Sequence, residues 1–176
     1  MQHPQHRHVG DLVPDTVFKI CTNSEWSEIS GTEIFGGRTV ILFALPGAFT
    51  PTCTTSHLPG FASNIDRFKD YGIDEIFCLS VNDCFVMNAW RESLGITKEV
   101  TLLADGNADF TEGMGLLVDK RHLGFGERSW RYAMIVRDGR IDGLFVEDFD
   151  DEGDPFLVSG APQLLEYLAQ GKESAV

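Results

Sequence analysis

A cysteine acts as a nucleophile only as its thiolate, so the surroundings of each sulfur decide what it can do. The chain has four cysteines, Cys21, Cys53, Cys78 and Cys84. Cys53 ends the segment Pro46-Gly-Ala-Phe-Thr50-Pro-Thr-Cys53 and opens a stretch with helical apolar spacing. The first turn of a helix favours negative charge through its unpaired N–H groups and dipole, which lowers a thiol pKa. Pro46 and Pro51 restrict the turn and shield the sulfur. Thr50 brings a hydroxyl that can donate to a thiolate or accept from a ligand O–H. The chain has no CxxC pair and no Cys/His spacing of a zinc site, and a chain of this size with a sizeable core and no export signal is not expected to carry a disulfide framework. Cys21 lies in an early edge segment without a partner motif. Cys84 sits just inside a helix start and reads as structural or incidental.

The elements that must hold Cys53 follow from the apolar patterning. Arg38–Leu45 is a nearly continuous apolar run between Gly36-Gly37 and Pro46-Gly47, as expected of a strand buried on both faces. From Thr52 to Asp70, Leu58, Phe61, Ile65 and Phe68 recur at three- and four-residue spacing, predicting one amphipathic helix kinked at Pro59, with Cys53 in its first turn. Glu75–Val81 is a second strand, and Asn82-Asp83 caps a helix through Trp90 that ends at Gly95. Glu99–Ala104 is another strand, followed by a short helical piece near Met114. Trp130–Val136 and Ile141–Val146 flank Asp138-Gly139, a hairpin signal, and a helix over Ala161–Gln170 closes the chain. Alternating βα units with a late hairpin define an α/β domain with a mixed central sheet.

Pro46-x-x-x-Thr50-x-x-Cys53 resembles the peroxidatic motif of the peroxiredoxins. The longer run through Cys53-Thr-Thr-Ser-His57-Leu-Pro-Gly-Phe61 is similar to the peroxiredoxin-5, or type II atypical, subfamily. Ser80-Val-Asn-Asp83-x-Phe85-Val-Met-x-Ala-Trp90 and Arg131-Tyr-Ala-Met-Ile-Val-x-Asp-Gly139 continue the resemblance in order, over nearly the whole chain after Val9. It implies a thioredoxin-like fold, a peroxidatic Cys53 that leaves as sulfenic acid, and an arginine, Arg131, that reaches back to the sulfur. A guanidinium there stabilises the thiolate and donates to the peroxide oxygens as charge shifts onto the leaving one. Arg128 lies three residues earlier, and only the family match places the role on Arg131.

The resemblance also bears on reduction of the sulfenic acid. Some relatives resolve it with a cysteine before the last helix, but Asp154-Pro-Phe-Leu-Val-Ser-Gly-Ala161 contains none. Cys78 matches a position where plant-type relatives carry a cysteine proposed to resolve. Strand alternation sets Cys78 with Ile76 and Ser80 on one face of a covered sheet, so it is expected to be buried, and bridging to Cys53 would require local unfolding. The segments Gly113–Lys120, Gly124–Arg131 and Asp154-Pro-Phe resemble a bacterial group often fused to a glutaredoxin domain, for which a chain ending at Val176 leaves no room. Glutathione, with or without a separate glutaredoxin, is the implied reductant, thioredoxin the alternative. No bound cofactor or metal is implied, and a homodimer formed near the active-site ends is.

Two rival readings share the same residues. His57 follows Cys53 by four residues, as a Cys–His hydrolase or acyltransferase would allow, but a base on the same helix leaves substrate little room, so His57 reads as tying loop to helix. A peroxide-sensing relay would also use Cys53 and Arg131. Composition narrows the setting: 14 basic against 27 acidic residues, a net charge of −13, repels nucleic acid and anionic lipid. The acidic run Glu147–Asp154 reads as a solvated loop. No apolar stretch suits a membrane span or a signal peptide, which makes cytoplasmic residence the expectation. Residues 1–8, with His3, His6 and His8, read as a disordered N-terminus ahead of a single domain over 9–176.

Overall fold

The structure is a computed structural model and describes residues 5–174 apart from Ser24, Lys98 and Glu152. The chain begins with an antiparallel hairpin, β1 (Val17–Thr22) and β2 (Glu25–Ser30), a two-stranded sheet of its own. Ser30 and Glu33 form a reciprocal capping box at the start of α1 (Gly31–Phe35). Next come β3 (Thr39–Ala44), a π-helical turn (Cys53–His57), α2 (Leu58–Ala62), α3 (Ile65–Asp70), β4 (Glu75–Ser80), α4 (Cys84–Ser93) and β5 (Thr101–Ala104). α5 (Asp109–Met114), a small ribbon of β6 (Leu117–Asp119) and β7 (Glu127–Ser129), the hairpin β8 (Tyr132–Arg137) and β9 (Arg140–Val146), and α6 (Ala161–Ser174) complete it.

The central sheet runs β5-β4-β3-β8-β9, with β3, β4 and β5 parallel and β8 and β9 antiparallel to their neighbours. Side chains alternate across it, and each face has its own apolar layer. Ile41, Phe43, Cys78 and Ile135 pack against α2, α3, α4 and α6 on one side. Val40, Leu42, Phe77 and Met134 pack on the other, against Phe18 of β1, Ile34 of α1 and Phe110 of α5. This is the mixed, helix-flanked thioredoxin-like sheet expected from the sequence.

Three local expectations change. The long helix is not one regular α-helix around Pro59. Proline has no N–H to give residue 55, and the ladder adapts upstream, where Leu58 N–H reaches Cys53 O in an i to i+5 bond. The break itself falls at Ser63–Asn64, between α2 and α3. The N-terminus is placed from residue 5 onward: Arg7 N–H donates to Met114 O and its guanidinium to Gly113 O and Leu12 O. His6 lies against the rings of His8 and Phe149, whereas His3 is outside the described residues. The third change is covalent. Cys21 and Cys84, expected to be unpaired, form a disulfide with Cα atoms 5.9 Å apart. They are separated by 63 positions, and only the packing of β1 on α4 brings them together.

Candidate active site

β3 ends in the buried core, and its last turn is pinned on both sides. Leu45 N–H bonds Leu79 O, and Ala48 N–H donates to Asn82 Oδ1, which also accepts from the Ser80 hydroxyl. Pro46 is buried beneath this turn. Gly47 sits in a tight place, because a Cβ there would crowd Thr50 Cγ2 at 3.1 Å and lie 3.4 Å from Arg128 Nη1. Thr50 donates its hydroxyl to Gly47 O at 2.6 Å. That proton is therefore committed to the turn, and of the two capabilities expected of Thr50 the oxygen retains the accepting one.

The chain then enters the helical segment, and the Cys53 side chain turns inward with no exposed surface. Phe43 stacks on Phe61 with centroids 4.2 Å apart and lies 4.8 Å from the His57 ring, fixing the helix against β3. Arg131 precedes β8 and is 1% exposed. Its Nη2 donates to Cys53 Sγ at 3.4 Å and to Asp154 Oδ1 at 2.5 Å, and its Nη1 lies 3.0 Å from His57 Nδ1. Arg128 does not approach Cys53. It donates to Phe125 O and Val81 O, bracing the Gly124–Arg131 segment against the end of β4.

The tautomer of His57 follows from its neighbours. Nε2 lies 3.0 Å from Ser159 O, a group that can only accept, so Nε2 carries the hydrogen and Nδ1 is the bare acceptor for Arg131. Burial, followed by the Arg131 charge, lowers the His57 pKa to about 3. A neutral imidazole whose only lone pair is occupied by a guanidinium cannot serve Cys53 as a base, which removes the physical ground for a Cys–His hydrolase.

The acidic loop is not simply solvated. Glu147 is 2% exposed, and its carboxylate accepts from the N–H groups of Leu157, Val158 and Ser159 and from the Ser159 hydroxyl. Burial works to raise its pKa, but these donors outweigh it and the net shift is downward. Folding the loop around this anion brings Ser159 O to His57, Phe156 under the Arg131 guanidinium at 5.7 Å, and Asp154 to Nη2. Asp154 behaves likewise: burial acts upward, hydrogen bonds from Arg131 and Thr52 act more strongly downward, and it stays ionised. These residues were not singled out in the sequence as site residues, and the one signal available was Asp154-Pro-Phe inside a family-like segment. Arg131 Nε is buried and has no hydrogen-bond partner among the described residues.

Cys78 lies in β4 on the face that carries Cys53, fully buried. Burial, and then the proximity of Cys53, pushes its thiol pKa up, so it is held as a neutral thiol. The site thus contains one sulfur under a guanidinium and one protonated sulfur in the layer behind it.

A thioredoxin-like domain with a helix-start cysteine facing a buried arginine belongs to the class of thiol-dependent oxidoreductases. The redoxin family model matches residues 8–162. The chain is 49% identical over 160 residues to the hybrid peroxiredoxin hyPrx5 of Haemophilus influenzae, covering 91% of this chain and 66% of that protein. It is 48% identical over 170 residues to peroxiredoxin sll1621 of Synechocystis, covering 90% and 89%. Among solved structures, reduced Prx3 of Vibrio vulnificus in complex with hydrogen peroxide superposes with a TM-score of 0.86 at 40% identity, over 94% of this chain and 98% of that one. The chain belongs to the redoxin family and, within it, to the peroxiredoxins of the peroxiredoxin-5 type.

Proposed function

We propose that the chain reduces hydrogen peroxide and organic hydroperoxides at Cys53 and is regenerated by glutathione, directly or through a glutaredoxin. The observation that carries this reading is the 3.4 Å contact of Arg131 Nη2 with Cys53 Sγ, with both side chains buried. The thiolate attacks one peroxide oxygen, the O–O bond breaks, sulfur loses two electrons to become the sulfenic acid, and the second oxygen leaves as hydroxide or alkoxide and takes up a proton. Arg131 faces the charge on both the attacking sulfur and the departing oxygen, and its unpartnered Nε is a donor left for substrate. Thr50 Oγ1 accepts the peroxide O–H, and Pro46 keeps the turn rigid and shields the sulfur.

Reduction begins when a glutathione thiolate displaces hydroxide from the sulfenic acid, leaving a mixed disulfide and water. A second thiol, from glutathione or a glutaredoxin, then frees Cys53. Because Cys53 is fully buried, these exchanges require the Pro51–Ala62 segment to open, which the π turn and the break at Ser63–Asn64 favour. A thioredoxin-dependent cycle through a Cys53–Cys78 disulfide is the second reading, supported by their shared face of the sheet. The protonated state of Cys78 weighs against it. A sensor relay would differ in rate, turning over slowly even with saturating reductant. Among the described residues no helix is long and apolar enough to cross a membrane. A cytoplasmic glutathione pool would suit the proposed reductant. Exposed Phe49, Phe85 and Trp26 would suit a homodimer contact near the active-site end.

Cys53→Ser is expected to abolish peroxide consumption, whereas Cys78→Ser retains it with glutathione and glutaredoxin. Mass spectrometry of the wild-type chain after one equivalent of peroxide and glutathione should find glutathione on Cys53. Full turnover by Cys53→Ser sinks the proposal, and a Cys53–Cys78 disulfide with loss of activity in Cys78→Ser moves it to the thioredoxin-type cycle.

A further inference from the structure

We propose that the Cys21–Cys84 disulfide is a second thiol–disulfide exchange site, separate from Cys53, that takes a dithiol as its reductant and in its oxidised form clamps the β1–β2 hairpin to α4. The pair lies outside the peroxide pocket. Cys21 is in β1 and Cys84 is the first residue of α4, whereas Cys53 lies further along that helix's contacts, where Trp90 donates to the Thr54 hydroxyl. Trp90 is six residues on from Cys84, ~9 Å along the axis.

Access and chemistry both support exchange. Cys21 and Cys84 are 7% and 8% exposed and line the wall of a 430 Å³ cavity between β1, α4 and β5, whose rim includes Lys19, Asn88 and Arg91. Cys84 also faces a second cavity of 180 Å³ on the side of Trp26 and Asp105. Of the two cysteines, Cys84 is therefore the one that lines both cavities. Asn88 Nδ2 lies 3.6 Å from Cys21 Sγ and donates to Cys21 O, so an N–H donor stands where negative charge would form on Cys21. At Cys84 the helix end is already occupied by Asp83, whose carboxylate caps Val86 N–H. Attack consequently falls on Cys84, and Cys21 leaves as the thiolate.

The step balances as a dithiol exchange. The incoming thiolate forms a bond to Cys84 Sγ as the Cys21–Cys84 bond breaks, and Cys21 takes up a proton. The second thiol of the reductant then displaces Cys84, leaving two protein thiols and an oxidised dithiol, a transfer of two electrons. The reverse exchange with a disulfide restores the clamp.

The mechanical consequence follows from how the hairpin is held. It shares no sheet with the body, and on its α4 side it is tied by the disulfide, by Asn88 to Cys21 O, and by the edge-to-face contact of Trp26 with Phe85. Removing the covalent tie leaves, on that side and among the described residues, one hydrogen bond and one exposed ring pair, while Phe18 stays packed against Phe110 on the other, so reduction loosens the α4 side of the hairpin and leaves the Cys53–Arg131 contacts in place. In a reducing compartment a couple of this kind reports the dithiol pool.

The test uses the Cys53→Ser chain, so that it stands apart from peroxide chemistry. Folded protein, oxidised and then treated with graded dithiothreitol, is quenched in acid, unfolded and alkylated. Before reduction only Cys78 should take label, and after reduction of the folded protein, carried out without denaturant, Cys21, Cys78 and Cys84 should all do so. Amide exchange in β1 and β2 should rise by about tenfold or more on reduction, and Cys21→Ser should show the fast exchange in either condition. In the otherwise native chain, Cys21→Ser should keep peroxide turnover within about twofold. Labelling of Cys21 and Cys84 before reduction, or a disulfide that opens only in denaturant, overturns the proposal.

Discussion

Cys53 and the Cys21–Cys84 pair lie near opposite parts of α4 and use the same element for different ends. At Cys53 the protein sets one sulfur against a guanidinium and supports that guanidinium with the Asp154 carboxylate and a neutral imidazole, while Glu147 holds the loop that delivers Asp154. At Cys21–Cys84 no cation among the described residues bonds a sulfur, the neighbours include an amide and a cavity, and two sulfurs bond to each other. The contrast shows that the reactivity of a thiol is set by what is packed around it, since the residue type is constant. A buried arginine makes one site a place for charge to form. A shared wall between β1 and α4 makes the other a joint.

The comparison breaks most readily at Arg131. Arg131→Met should lower kcat/KM for hydrogen peroxide by roughly two to three orders of magnitude, the scale of losing a preorganised donor at the reacting atoms. A rate near that of the unmodified chain would mean that the guanidinium is only structural. Asp154 is the finer probe, because it shares Nη2 with the sulfur. Asp154→Ala should reduce kcat/KM by about tenfold and shift the pH profile of Cys53 alkylation, with partial recovery in Asp154→Asn, since an amide oxygen still accepts. An unmoved pH profile would assign Asp154 to loop packing alone.

Stability distinguishes the two regions further. The folded His57 pKa of about 3 lies below its ordinary 6.5. The unfolded chain therefore binds the extra proton first, and stability is full above pH 6.5 and falls as pH drops through 3. The penalty approaches about 5 kcal/mol at the acid end, with depressed Asp154 and Glu147 acting in the same direction. Denaturant titrations from pH 7 to pH 4 should show this loss, and His57→Asn should flatten it. At the other region, opening a link across 63 positions removes a constraint of about 4 kcal/mol from the unfolded chain. Cys21→Ser should accordingly lower Tm by about 10 °C in the oxidised protein and change nothing in the reduced one. Equal melting of both forms would mean that the bond contributes no stability.

The elements that rest on local pattern were legible in the sequence. The apolar run that became β3, the Asp83 cap of α4, the Asp138-Gly139 hairpin and the placement of Cys53 at a helix start all depend on neighbours within a few residues. The π turn ahead of Pro59 and the break at Ser63–Asn64 went unseen, because a missing N–H leaves open where along the helix the hydrogen-bond ladder adapts. The short β6–β7 ribbon and the β1–β2 hairpin went unseen, since exposed strands such as Glu25–Ser30 show little apolar alternation.

By itself, then, the sequence determined the class of fold, the sulfur at the head of a helix and, through family motifs, the arginine to pair with it. Tertiary structure alone decided the long-range partnerships: Asp154 and His57 on Arg131, Glu147 at the centre of its loop, and Cys21 bonded to Cys84. The physical reason is distance along the chain. Helix dipoles, caps and turns act over a handful of residues and leave a periodic trace. A hydrogen bond or disulfide across tens of residues forms only where packed layers bring the two atoms together, and it leaves no periodic signal in the residues between.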